Sequence, residues 1–215
     1  MTEQAVTGPV DLAANPGAEL SSLIRQNPSD PQRISDFLDR LREPDRIAAV
    51  RTLGRSDQRA LWAAVDGFRP VTLDDVVPAT VPLLTAVRHY GRNTLGVLTL
   101  FEKRFYRAAD TDGAAPRELG GINVHPSRPL VGPGYFVAVE DTKRGEVLVD
   151  YRRVPDITPA GWVKVTGNEQ GLARFVYGYM VDTLRRVSEH VTIGSAVRHG
   201  KDIGAYFVLC RQELS

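Results

Sequence analysis

At Ala108-Ala-Asp-Thr-Asp-Gly-Ala-Ala-Pro116 the chain changes texture, and that change limits what it can fold into. Before this loop the punctuation is helical, with capping residues, first-turn prolines and short i, i+3, i+4 stripes. After it, runs of β-branched and aromatic residues lie between turn signals. The fold class expected from two such halves is α+β. An N-terminal run of short helices is followed by an antiparallel sheet in the order β-hairpin, helix, β-hairpin.

Residues 1–17, with Gly8-Pro9 and Asn15-Pro16-Gly17, read as a flexible lead-in. Asp30 caps a helix with Pro31 at its first position and Ile34, Phe37, Leu38 and Leu41 on one stripe. Pro44 opens a second helix carrying Ile47, Val50 and Leu53, ended by Gly54. Ser56 is the expected cap of a third, with Leu61, Trp62 and Val65. Thr72 heads a short one, and Pro82 to Tyr90 reads as helical. Over 94–108, Leu95, Leu98, Phe101 and Phe105 favour a helix, although the run from Leu98 to Tyr106 also suits a strand. The expected organisation is a helical region at 18–108 and a sheet with one long helix at 119–215, with 18–215 as one compact domain.

In the second half, 135–140 and 146–151 form a hairpin, and 191–198 and 205–212 form another around His199-Gly200-Lys201-Asp202. Between them Asn168 caps the longest expected helix, 169–190. Its apolar stripe is Leu172, Phe175, Val176, Tyr179, Met180, Thr183 and Val187. Asp182, Arg186 and His190 follow the edge of that stripe at i, i+4, i+8, while Arg174 and Arg185 point to the far, solvated face.

A net charge of +1 speaks against a general nucleic-acid or membrane-surface binder. The one skew lies within the basic set, 23 Arg against 4 Lys. It has two readings: GC-rich, bacterial-like codon usage, or recognition of an anion by guanidinium groups. Locally, Arg88, Arg92, Lys103, Arg104 and Arg107 stand against Glu102 alone, an excess that the bulk balance hides. Cys210 is the single cysteine, which excludes an internal disulfide and any cysteine-cluster zinc site, and its apolar surroundings make it a core residue. No signal peptide or apolar run of membrane-spanning length occurs, so a cytoplasmic location is expected.

No motif names a reaction. Gly194 to Lys201 imitates a phosphate-binding loop, but has one residue too many between its glycines and Asp202 where Ser or Thr should stand. No metal site is expected from the four scattered histidines, and no cofactor can be named. The leading expectation is a binding domain for a small amphipathic or anionic ligand, or for a partner protein, with homo-oligomerisation open. Its ligand-binding residues would be Arg186, Asp182, His190, Arg92, Tyr151 and Tyr179. The alternative is an enzyme with His89 or His190 as general base, oriented by Asp182 or Asp150, and Arg92 or Arg186 holding an anionic substrate. A third reading is an adaptor that docks through an exposed apolar face on 34–65.

Overall fold

β structure begins ahead of the 108–116 loop. The computed structural model describes residues 15–96, 99–108, 117–125, 133–168 and 177–214. It contains eight strands: β1 (Val87–Asn93), β2 (Leu100–Arg107), β3 (Leu119–Val124), β4 (Tyr135–Asp141), β5 (Glu146–Asp150), β6 (Met180–Arg186), β7 (Val191–Arg198) and β8 (Lys201–Arg211). Each pairs antiparallel with the next, and β8 pairs with β1 to close a barrel. The expected α+β arrangement with an open sheet is therefore wrong. Closure removes both sheet edges, which an open sheet would leave exposed or covered by helices.

Three helical expectations fall with it. Residues 87–90 and 100–107 are strands, and so is the 180–186 part of the expected long helix, whose 169–176 part lies outside the described residues. The cause is a shared periodicity: residues i and i+4 lie on one face of a strand as well as of a helix. Phe101 and Phe105 fit both, but Lys103 and Arg107 complete a period of two inward, with Glu102 and Arg104 outward. Likewise Asp182, Leu184 and Arg186 share a face because they alternate.

Both hairpins of the second half form, as β4–β5 and β7–β8. The four helices expected before residue 77 also form, as α2 (Pro31–Arg40), α3 (Glu43–Thr52), α4 (Arg55–Ala64) and α5 (Leu73–Val76). Ahead of them α1 (Pro16–Ile24), which was not expected, takes in Pro16 and Gly17 of the lead-in. Asp30 accepts the amides of Gln32 and Arg33, and Thr72 accepts that of Asp75, so both caps stand as read. The cap of α4 is Gly54 and not Ser56.

Helices α1 to α4 bury their stripes against the outer wall of the barrel. Leu20, Ile34, Leu38, Val50, Leu53 and Leu61 form one cluster with Val191, Ile193, Val208 and Cys210 of β7 and β8. The apolar face of 34–65 is thus spent inside the molecule, which removes the docking surface that the adaptor reading required. Cys210 is buried there and its thiol is pushed up to about 12 by burial, as expected of a core cysteine.

The barrel interior is a separate core. Val87, Phe105, Leu119, Ala138, Val147, Val149, Leu184 and Leu209 fill one half of it, with Leu73, Val76 and Val77 from α5. This short helix stops that end. Arg107 donates to the Val77 carbonyl and pairs with Asp74. Arg186 pairs with Asp75 at 2.8 Å, and Glu140 accepts the Leu73 amide at 2.7 Å. Helix α5 itself is a single turn, too short to stand alone, so these clamps hold it.

Three phenylalanines line the interior through one device. Gly91, Gly121 and Gly194 lie directly opposite Phe101, Phe136 and Phe207 on neighbouring strands. Each ring lies over its glycine, where a Cβ would stand 2.7, 2.1 and 2.2 Å from ring carbons. Such glycine–aromatic pairs let a sheet curve while the ring covers the bare backbone.

Candidate functional site

A polar cluster lies among the three rings in the barrel interior. Lys103 on β2 is flanked in register by His89 on β1 and Asn123 on β3. Its Nζ donates to Asp182 Oδ2 at 3.0 Å, to Asn123 Oδ1 at 3.2 Å and to the Tyr151 hydroxyl oxygen. All three ammonium protons are therefore used. Asn123 Nδ2 also donates to the Tyr151 oxygen at 2.8 Å, and Tyr151 shares its own proton with Asp182. Both charged side chains are almost wholly buried, 2% and 4% exposed.

The pair sits in an aromatic cage. The Lys103 ammonium lies 5.9, 5.1 and 4.9 Å from the ring centroids of Phe101, Phe136 and Phe207, the rings seated on the three glycines, and 4.8 Å from that of Tyr151. Ring faces attract the cation and supply little solvation for the carboxylate. Burial drives both groups toward neutrality: the Lys103 amine is lowered, the Asp182 carboxyl raised, and each partner's charge opposes that push. Burial, then the Asp182 charge, holds the Tyr151 phenol well above its ordinary value. Tyr177 stacks on Tyr151 with centroids 5.3 Å apart, and its hydroxyl meets His125 Nε2 at 2.9 Å. A line of polar groups thus runs from His125 beyond the end of β3 through Tyr177 to the Lys103 cluster.

Only part of the expected site is brought together. Asp182 and Tyr151 are in the cluster. Arg186 shares the Asp182 face but lies at the α5 end and pairs with Asp75, so the expected Asp182–Arg186 contact is replaced. His190 lies in the β6–β7 turn, half-buried, with Glu189 at 3.7 Å, and burial followed by Arg46 and Arg211 lowers its basicity. His89 points into the barrel and contacts the Val76 carbonyl at 3.0 Å. A carbonyl only accepts, so Nε2 carries the proton, and burial lowers the imidazole to about 3.

Arg92 faces outward and donates to the Arg51 carbonyl at 2.6 Å. Tyr179 adopts φ +59° and stacks on His199 at 4.6 Å, partly exposed. Asp150 is bound by Arg152, apart from both candidate bases. Arg185, expected in water, is buried against Glu146 and the Trp62 ring. The basic excess of 88–107 is divided between the two faces of the β1–β2 hairpin: Lys103 and Arg107 lie inside, while Arg104 pairs with Glu102 outside. It makes no single anion site.

Sequence reasoning missed Asn123, and it placed Lys103 in the local basic excess and not in an interior cluster. The signal for Lys103 was the run Phe101-Glu-Lys-Arg-Phe105, in which a strand places a lone lysine on the phenylalanine face.

The fold and site define a closed eight-stranded up-and-down barrel with an α5 stopper and a buried Lys–Asp–Tyr–Asn cluster. No protein-family model matches the chain, and no curated protein matches it. Among the described residues no helix is long and apolar enough to cross a membrane, and no group of side chains has the makings of a metal site.

Proposed function

We propose that the chain binds one small amphipathic molecule inside the barrel, its polar end at Lys103 and its apolar body among Phe101, Phe136, Phe207 and Tyr177. The observation that carries this reading is the buried Lys103–Asp182 pair set among aromatic rings in the barrel interior. Replacing a buried pair by apolar side chains of similar volume is often neutral or stabilising, so folding alone does not call for Lys103 and Asp182. Small barrels of eight strands either fill with side chains or hold one small ligand. Here aliphatic side chains and α5 share one interior cluster with the rings that surround Lys103.

A ligand that presents an acceptor oxygen, as a carboxylate or a carbonyl does, suits this cluster, because it can take over the protons that Lys103, Asn123 and Tyr151 here donate to one another and to Asp182. The test is a thermal-shift titration with 2-naphthoate, 2-naphthaldehyde and naphthalene. At a hundred times its Kd a ligand adds about 2.7 kcal/mol, roughly 5–11 °C for a chain of this size. The oxygen-bearing probes are expected to stabilise the protein and naphthalene to do so less. No stabilisation by any of the three would end the reading.

A further inference from the structure

The choice of lysine at position 103 departs from the habit of the chain. Cations are supplied by arginine in 23 of 27 cases, and the other strongly buried ones, Arg46, Arg107, Arg185 and Arg211, are all arginines. Arginine is also the better residue for a buried ion pair, since its fork makes more hydrogen bonds and it holds its charge. Lys143, Lys164 and Lys201 are exposed, so Lys103 is the one lysine of this sequence that is buried. What lysine offers and arginine does not is a proton it can lose and a nitrogen that can then form a bond.

We propose that Lys103 forms a reversible imine with an aldehyde or ketone held in the barrel, which rests on the binding reading above and names its ligand class. The neighbours supply the protons. Asp182, 3.0 Å from Nζ, takes one proton from the ammonium and leaves a neutral amine beside a neutral carboxyl. The nitrogen lone pair attacks the carbonyl carbon, and the carbonyl π bond becomes an alkoxide. Tyr151, which touches both Nζ and Asp182, passes a proton from the new ammonium to that oxygen, giving a carbinolamine. Asp182 returns its proton to the hydroxyl, the C–O bond breaks and water leaves. The product is an iminium cation next to an Asp182 carboxylate, so the site ends with the charges it began with. No oxidant or reductant takes part. The rings that held the ammonium face the iminium in the same way, and Asn123 keeps Tyr151 in place through its 2.8 Å hydrogen bond.

The experiment treats the full chain with 2-naphthaldehyde and cyanoborohydride at neutral pH, followed by peptide mapping. Hydride reduction of the iminium leaves a secondary amine and adds the mass of the aldehyde less one oxygen. Lys103 is expected to label first, by roughly tenfold or more over each exposed lysine, because a lowered amine is neutral more often. Lys103→Arg keeps the charge and should lose the adduct while still being stabilised by 2-naphthoate. Should that variant not fold, competition by 2-naphthoate against Lys103 labelling in the unaltered chain replaces it. Labelling confined to Lys143, Lys164, Lys201 or the amino terminus overturns the imine. If naphthoate nevertheless raises the melting temperature, the binding reading survives that result; if no probe does, both fall.

Discussion

Replacing Lys103 by methionine tests the energetic argument on which the site rests. The substitution keeps much of the side-chain volume and removes the amine, leaving the Asp182 carboxylate buried at 4% exposure without its partner. Breaking a buried pair from one side costs about 3–5 kcal/mol, which for a chain of this length lowers the melting temperature by roughly 6–20 °C. Lys103→Met with Asp182→Leu removes both charges and should return to within about 1 kcal/mol of the unaltered protein. The single variant should also respond to pH in a defined direction. Burial raises the folded Asp182 carboxyl, and without Lys103 only the Tyr151 hydrogen bond opposes that push. A group raised above its unfolded value, about 3.9 for Asp, stabilises below that value and loses the contribution as pH rises through the folded one. The deficit of Lys103→Met must therefore shrink on acidification. Urea unfolding followed by circular dichroism measures all three proteins at neutral and mildly acidic pH. A single variant within about 1 kcal/mol of the unaltered chain, or a double variant as unstable as the single, would refute the reasoning.

Gly194→Ala puts a methyl where the Phe207 ring lies, 2.2 Å from a ring carbon, and the ring must shift into the cage. A loss of about 1–3 kcal/mol in urea unfolding is expected, and a neutral result would mean the ring has room to move. Arg107→Gln loosens α5, which should speed hydrogen exchange at the Val76 and Val77 amides without changing that of β7; unchanged exchange at those amides would show that the clamp is idle. His89, lowered by burial to about 3, should show no imidazole titration by NMR between about pH 5 and 8. Its unfolded form takes up a proton near pH 6.5, so folding stability falls on acidification below that value, by at most about 1.4 kcal/mol per pH unit from this group. A measured His89 value above 5 would contradict the buried contact with Val76.

The helical half was legible because its signals are local. Asp30-Pro31, Pro44 and Thr72 act within one turn of themselves, and each sits where capping chemistry places it. The two tight hairpins were legible for the same reason. What escaped was decided by distant partners: β1 is a strand because β2 and β8 flank it, and β6 because β5 and β7 do. In both segments a spacing of four suited either structure, and only the two-residue alternation told them apart. The site followed the same rule. Asp182 and Tyr151 were found by their polarity next to apolar stripes, whereas Lys103, 79 residues from Asp182 in sequence, had no local sign of its partner.

Helices α3 and α4 pack across β8 and reach β1 and β7, so they straddle the seam where the first and last strands meet. That seam has an order in time. Nearly the whole barrel must be synthesised before Cys210 can pair with Tyr90, and the helices emerge first. Until β7 and β8 arrive, the faces carrying Leu38, Val50 and Leu61 have no wall to rest on. The same helices that splint the finished ring are thus exposed apolar surface in the growing chain. Closure across so long a separation is slow by topology, because the entropy of the loop is lost before the contacts that reward it form. Production of this protein should therefore be limited by how the early helices are sheltered, more than by the stability of the closed barrel.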